Sequence, residues 1–255
     1  DGGVYYCNSL STANVISSVT KPTITDLNVT QFYHAAIAPT ALDEYFLGGT
    51  QDNGTPYFDD PNDQNAIDIS GGDGAACFVD QVGESYLIVS YVYNNSYRLF
   101  NLNLNEWRSI SSNSENEGDF INQAALDSNL DILYTNGSSG GVSKIYRYSN
   151  LLNIQVTDSA IKKSLTDPLL VSSPTAITVS KYTTTASTLL VGTETGELFK
   201  VINGNSVPIW TNISDSNFLG SISDVEYGNS ENEIYVTFHN YGVSNIWYSS
   251  DGGIN

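Results

Sequence analysis

Carboxylates are the side chains best placed in this sequence to do chemistry. Asp52 stands in the turn Gln51-Asp52-Asn53-Gly54, and Asp73 in Gly71-Gly72-Asp73-Gly74. Two aspartates about 5–9.5 Å apart can run glycoside hydrolysis, one as acid and the other as base or nucleophile. The same polar, glycine-rich setting also suits recognition without cleavage by Gln51, Asp52, Asn53 and Asp73. A third reading is a plain turn whose side chains satisfy loop amides. Residue type alone leaves all three open. The densest acidic run is Asp59-Asp60-Pro61-Asn62-Asp63. Its oxygen ligands, Asp59, Asp60 and Asp63, suit calcium, although a solvated loop has the same composition and no EF-hand spacing is present. None of these readings requires a cofactor.

Other chemistries are poorly supplied. His34 and His239 are the two histidines, each inside a strand-like run, too few for a zinc set or a Ser-His-Asp triad. There is no P-loop, no nucleophile elbow and no His-Glu-x-x-His. With 28 acidic against 9 basic side chains and a net charge of −19, the chain has no basic stripe to displace counterions from a phosphate backbone, which excludes nucleic acid as a partner. No apolar run reaches the ~18–20 residues of a membrane span, so no membrane insertion is expected. Low lysine content with abundant Asn, Ser, Thr and Tyr predicts a secreted or cell-surface protein. Five glycosylation sequons occur, at Asn28, Asn53, Asn94, Asn136 and Asn212, and in so Asn-rich a chain chance accounts for them.

The elements that must position Asp52 and Asp73 are legible as a repeat. An apolar run ending in a hydroxyl residue recurs at Thr50, Ser90, Thr135, Thr193 and Thr237, at spacings of 40 to 58 residues. Each is followed by a polar or Gly-containing turn and a further run: Pro56–Phe58, Tyr97–Phe100, Lys144–Tyr148, Glu197–Val201 and Asn245–Tyr248. Each is preceded by a run rich in small residues in three of the units, with Ala35, Ala36, Ala75, Ala76, Ala124 and Ala125. Several short strands per unit of roughly 40–45 residues are the mark of β-propeller blades. The predicted fold is therefore all-β, a propeller of four-stranded antiparallel blades. Five blades are complete in the chain, within a ring expected to hold six to eight. Val4-Tyr5-Tyr6 reads as the third strand of an earlier blade, and 158–165 as an inserted helix. Cys7 and Cys77 fall two blades apart, so no bond between them is expected. In such a meander the second-to-third turn and the lead-in to the next blade share a face, which places Asp52 and Asp73 together, with Asp1 at the equivalent turn one blade earlier.

Ser249-x-Asp251-x-Gly253, with Asp1-Gly2-Gly3, Gln31-Phe32-Tyr33 and Gly48-Gly49-Thr50-Gln51-Asp52-Asn53-Gly54-Thr55, resembles the Asp-box propellers, the sialidase, sortilin and xyloglucanase-like repeat proteins. In that family the box is a fold-stabilising turn, so the resemblance implies a structural role for Ser249, Asp251 and Gly253. Asp52-Asn53-Gly54-Thr55-Pro56-Tyr57 also resembles the Asp-x-Gly-Gly-x-Tyr stretch that carries a catalytic Asp in xyloglucan-degrading propellers. Thr55 replaces a glycine there, and the partner Asp in that family comes from a second propeller. The opening Asp1-Gly2-Gly3 and the closing turn at Ser249–Asn255 predict a single propeller domain cut from a longer secreted protein, whose other domains would be its neighbours. Two functions follow. One is a non-catalytic domain binding a glycan or protein partner. The other is a xyloglucanase-like hydrolase fragment using Asp52 and Asp73.

Overall fold

The computed structural model describes residues 6–7, 9, 11, 19–20, 30–39, 45–60, 65–83, 85–111, 117–155 and 159–255. Five antiparallel sheets follow one another along the chain. Blade I comprises β3 (Phe32–Ile37), β4 (Phe46–Thr50), β5 (Pro56–Phe58) and β6 (Ile67–Asp68). Blade II comprises β7 (Cys77–Val79), β8 (Tyr86–Val89), β9 (Arg98–Asn101) and β10 (Glu106–Ser109). Blade III holds β11 (Ala124–Asp127), β12 (Ile132–Asn136), β13 (Ile145–Ser149) and β14 (Ile161–Leu165), and blade IV holds β15 (Pro174–Val179), β16 (Leu189–Thr193), β17 (Leu198–Ile202) and β18 (Ile209–Asn212). Blade V contributes β19 (Ile222–Tyr227), β20 (Ile234–Phe238) and β21 (Ile246–Ser249) as a three-stranded sheet. Ahead of them, β1 (Tyr6–Cys7) pairs with β2 (Val19–Thr20). Val4 and Tyr5 of the anticipated earlier strand lie outside the described residues.

The first strands of all five blades converge on one axis. Tyr33, Phe78, Ala124, Thr178 and Asp224, one from each, line a central cavity of about 420 Å³. One blade cannot bury both of its faces, so the hydrophobic core is distributed between blades. Leu47 of blade I packs with Cys77, Val79, Leu87 and Val89 of blade II. Tyr86, Ile88, Tyr97 and Leu99 meet Leu133, Tyr146 and Tyr148 of blade III. Tyr134 and Ile145 meet Leu189, Val191 and Phe199 of blade IV, whose Leu190 and Leu198 in turn meet Ile222, Val225 and Val236 of blade V. The second strands sit deepest, with every residue of β8, β12 and β16 buried.

The repeat hydroxyls occupy one structural position, the end of the second strand. Thr50 Oγ1 donates to the Gly54 carbonyl (2.9 Å), Ser90 Oγ to the Ala76 carbonyl (3.0 Å) and Thr135 Oγ1 to Asn94 Oδ1 (2.8 Å). Thr193 Oγ1 donates to the Glu197 carboxylate (2.6 Å), and Thr237 Oγ1 shares a hydrogen bond with Ser223 Oγ (2.7 Å).

The helix expected over 158–165 is not formed: residues 161–165 are β14, the fourth strand of blade III, paired with β13 from Ile145↔Leu165 to Ser149↔Ile161. Sheet pairing overrides a weak local preference here. The long spacing in this unit is shared among the β12–β13 turn, the β15–β16 turn and the β13–β14 connection, which carries a 3₁₀ turn at Leu151–Asn153.

Candidate functional site

The face onto which the second-to-third turns and the lead-in loops emerge, here the upper face, brings Asp52 and Asp73 together. The Asp52 N–H donates to the Asp73 carboxylate (3.0 Å), and Gly54 pairs with Asp73 in an isolated parallel bridge. The Gly54 N–H donates to the Gly72 carbonyl (2.7 Å) and the Thr55 N–H to the Ser70 carbonyl (3.1 Å), locking turn against loop. This approach is possible only without side chains. A Cβ on Gly54, at φ +64°, would lie 1.6 Å from the Ser70 oxygen, and one on Gly74 would lie 2.1 Å from the Gly54 oxygen. Thr55, the departure from the xyloglucanase-like stretch, is buried, and its Oγ1 accepts from Ser70 Oγ (2.9 Å).

Gln51 is half-buried, its N–H on the Gln31 carbonyl (3.0 Å), while Asp52 and Asn53 are exposed and the Asn53 amide donates to the Gln51 carbonyl (3.0 Å). Tyr33 stands beside the pair. Its phenol is pushed above the usual tyrosine range, by desolvation first and then by the Asp73 and Asp52 carboxylates. The surface continues into aromatic rings. Tyr91 lies over Gly72, whose added Cβ would sit 2.8 Å from the ring, and Tyr93 meets Phe120 edge-on at 5.7 Å. Asp1 lies outside the described residues.

Tyr91, Phe120 and Glu194 of this face escaped the reading of the sequence. A signal existed for two of them. The residue after each repeat hydroxyl opens the upper turn, and in blades II and IV that residue is Tyr91 and Glu194. Phe120 sits in a lead-in loop of irregular length and carries no such mark.

The remaining candidates are dispersed. Asp59 and Asp60 are exposed beyond β5, and Asp63 lies outside the described residues. Among the described residues no group of three His, Cys, Asp or Glu side chains is disposed to hold a metal ion. Ser249, Asp251 and Gly253 form a hydrogen-bonded turn. The Asp251 carboxylate accepts from Ser249 Oγ (2.8 Å) and from the N–H groups of Ile254 (3.0 Å) and Asn255 (2.9 Å), and Ser249 Oγ accepts from the Gly253 N–H (3.0 Å). Donation from the Asn255 backbone and side chain holds the Asp251 carboxyl down at about 2. His34 lies against buried Cys77, with Nδ1 3.6 Å from Sγ. Burial pushes the Cys77 thiol up to about 12 and the His34 imidazole down, which makes this pair unreactive packing. Cys7 in β1 instead donates to the Ser9 carbonyl (3.1 Å). Of the sequons, Asn94 and Asn136 are fully buried and closed to glycosylation.

No protein-family model matches the chain, and no curated protein matches it. Solved structures do. One is PorZ, a bacterial surface component of the type-IX secretion system of Porphyromonas gingivalis, at TM-score 0.60 and 15% identity over 86% of this chain and 32% of that one. Another is a chain of the nidogen/laminin complex, at TM-score 0.57 and 11% identity over 86% of both chains. At these identities the likeness shows the fold, a β-propeller, and this chain spans about a third of PorZ. Among the described residues no helix is long and apolar enough to cross a membrane.

Proposed function

We propose that this chain is a non-catalytic propeller domain of the Asp-box kind, part of a secreted or cell-surface protein, that binds a protein or glycan partner through the upper face around Tyr33, Asp52 and Asp73. The observation that carries this reading is the engagement of Asp73. Its carboxylate turns back to accept the Asp52 N–H, so both aspartates belong to one hydrogen-bonded wall. A glycosidase needs its two carboxyls on opposite sides of the scissile bond, one held protonated and one ionised. A carboxylate that serves a loop amide, as that of Asp73 does, supports a role in holding the surface rather than one as a free acid or base. An open polar surface with Tyr33, Tyr91 and Phe120 nearby supplies what recognition needs, hydrogen-bonding groups beside rigid rings. The surface-located PorZ and the nidogen/laminin complex support the general reading, and the low-lysine composition supports the location.

The purified chain should release no reducing ends from β-glucans, xyloglucan or sialosides. Turnover that Asp52→Ala abolishes would overturn the binding reading in favour of the hydrolase. On an array of the same glycans, any retention should weaken about tenfold in both Tyr33→Ala and Asp52→Ala, the scale of a contact residue at the centre of an interface, with the melting temperature unchanged in Asp52→Ala.

A further inference from the structure

A second feature of the upper face lies away from Asp52 and Asp73. A groove of about 520 Å³ runs between the β12–β13 turn of blade III and the β16–β17 turn of blade IV, floored by the loop that leads into β15. Its walls are pinned by the fold. The buried Asn136 amide donates both to the Asp119 carboxylate (3.1 Å) and to Ser173 Oγ (3.1 Å), and the Glu194 N–H donates to the Ser173 carbonyl (3.0 Å). The Glu197 carboxylate is occupied by the Thr193 and Thr195 hydroxyls. What the groove presents outward is a set of serine hydroxyls, Ser139, Ser143 and Ser172, the exposed Glu194 carboxylate, and two valines on its rims. Val142 is 56% exposed and Val171 73%.

Charge and shape together select an occupant. Among the described residues no basic side chain lines the groove, and the nearby Lys144 ammonium is held by Glu117 at 2.9 Å. Asp119 lies close enough to Glu194 that its carboxyl is pushed above the usual range, by burial first and then by the Glu194 charge. The groove is thus negative at Glu194. Among the described residues no aromatic ring lines it, so a pyranose finds no face there on which to stack. An extended polypeptide fits better. Its backbone amides and carbonyls can bond the serine hydroxyls, alternate side chains can cover the two valines, and a cation can meet the carboxylates.

We propose that this groove takes an extended basic segment of a partner protein, with a Lys or Arg side chain at Glu194 and apolar neighbours against Val142 and Val171. The proposal goes beyond the reading of the Asp52 face and does not depend on Asp52 or Asp73.

The test uses the intact chain and fluorescein-labelled peptides of alternating valine and lysine, with valine–glutamate and valine–serine peptides as controls. Anisotropy should show binding of the valine–lysine peptide only. Glu194→Gln should weaken it about tenfold, and Val171→Asp, which adds repulsion of the apolar rim, should lower the affinity rather than raise it. Glu106→Gln on β10, which removes the same charge from the outer edge of blade II, should leave the affinity within twofold. Amide shifts on titration should concentrate at Ser139, Ser143 and Ser172. Equal weakening by Glu194→Gln and Glu106→Gln would mean diffuse attraction to an acidic protein and would overturn the proposal. So would binding of the control peptides, absence of binding, a gain in affinity in Val171→Asp, or shifts located on another face. The Asp52→Ala variant separates the two readings: it should bind the basic peptide like the unmodified chain.

Discussion

Replacing Gly54 with alanine would drive a methyl group to within 1.6 Å of the Ser70 carbonyl oxygen, on a residue already at φ +64°. Neither backbone can retreat without losing the bonds that hold Asp52 against Asp73. The expected loss is about 2–3 kcal/mol, or roughly 5–10 °C in melting temperature, together with loss of any binding at this face. Gly71→Ala in the same loop, where an added Cβ meets nothing within 4 Å, is the control and should be nearly silent. Asp251 gives a prediction in pH. Its folded carboxyl sits at about 2, below the ordinary range, so its contribution to stability is present above about pH 4 and is lost as pH falls through about 2. A carbon-13 titration of the Asp251 carboxyl should report a midpoint near 2; a midpoint near 4 would show that the turn does not engage the carboxylate in solution.

Among the elements, the first three strands of each blade were readable because they are apolar runs set around the fixed hydroxyl that ends the second. The fourth strands were not. β6, β10, β14 and β18 form outer edges with many exposed side chains, as in Ile161-Lys162-Lys163-Ser164-Leu165 or Ile209-Trp210-Thr211-Asn212, so no burial period marks them. The same weakness let residues 158–165 read as a helix. The pairing of Asp52 with Asp73 was legible from topology because the meander dictates which loops share a face. Tyr91 and Glu194, which open upper turns directly after a repeat hydroxyl, were legible from the same repeat, whereas Phe120 was not, since it enters from a lead-in loop of irregular length. Blade-to-blade polar clasps were also invisible in the sequence. Ser187 of blade IV donates to the buried Asp127 carboxylate of blade III (2.6 Å), which also accepts the N–H groups of Asn129 and Leu130. Tyr86 of blade II donates to Asp131 of blade III (2.9 Å). A double-mutant cycle of Asp127→Ala with Ser187→Ala should return a coupling of about 1–3 kcal/mol, measured by chemical denaturation. Additive effects would mean the clasp contributes nothing between the blades.

For the molecule as a whole, the net charge of −19 and four acids with raised carboxyls act in the same direction. Asp119, Asp127, Asp131 and Glu226 all have carboxyls pushed above the usual range, burial being the first cause in each. Neighbouring carboxylates add to three of them: Glu194 to Asp119, Asp80 and Asp127 to Asp131, and Asp224 to Glu226. Such an acid holds its proton more tightly folded than unfolded. Its contribution is therefore complete below about pH 4 and is lost as pH rises through the raised folded value. Melting temperature should accordingly rise as pH is lowered through the raised folded values towards about 4 at fixed ionic strength; a flat or falling profile would contradict this. Sodium chloride should also raise it, by screening the self-repulsion. A further rise with millimolar calcium over matched salt, abolished in Asp59→Asn, is the outcome expected of an occupied Asp59–Asp60–Asp63 site.

The layered core has a kinetic meaning. Each hydrophobic layer joins two successive blades, and the widest of the inter-blade clasps, Ser187 to Asp127, spans 60 residues. Native contacts therefore stay close along the chain for an all-β protein, and each blade can dock as soon as its neighbour exists. Hydrogen exchange should follow this order. The amides of Leu133 and Leu190, in blades whose hydrophobic layers meet both the preceding and the following blade, should exchange last. The molecule would then loosen blade by blade rather than in a single step.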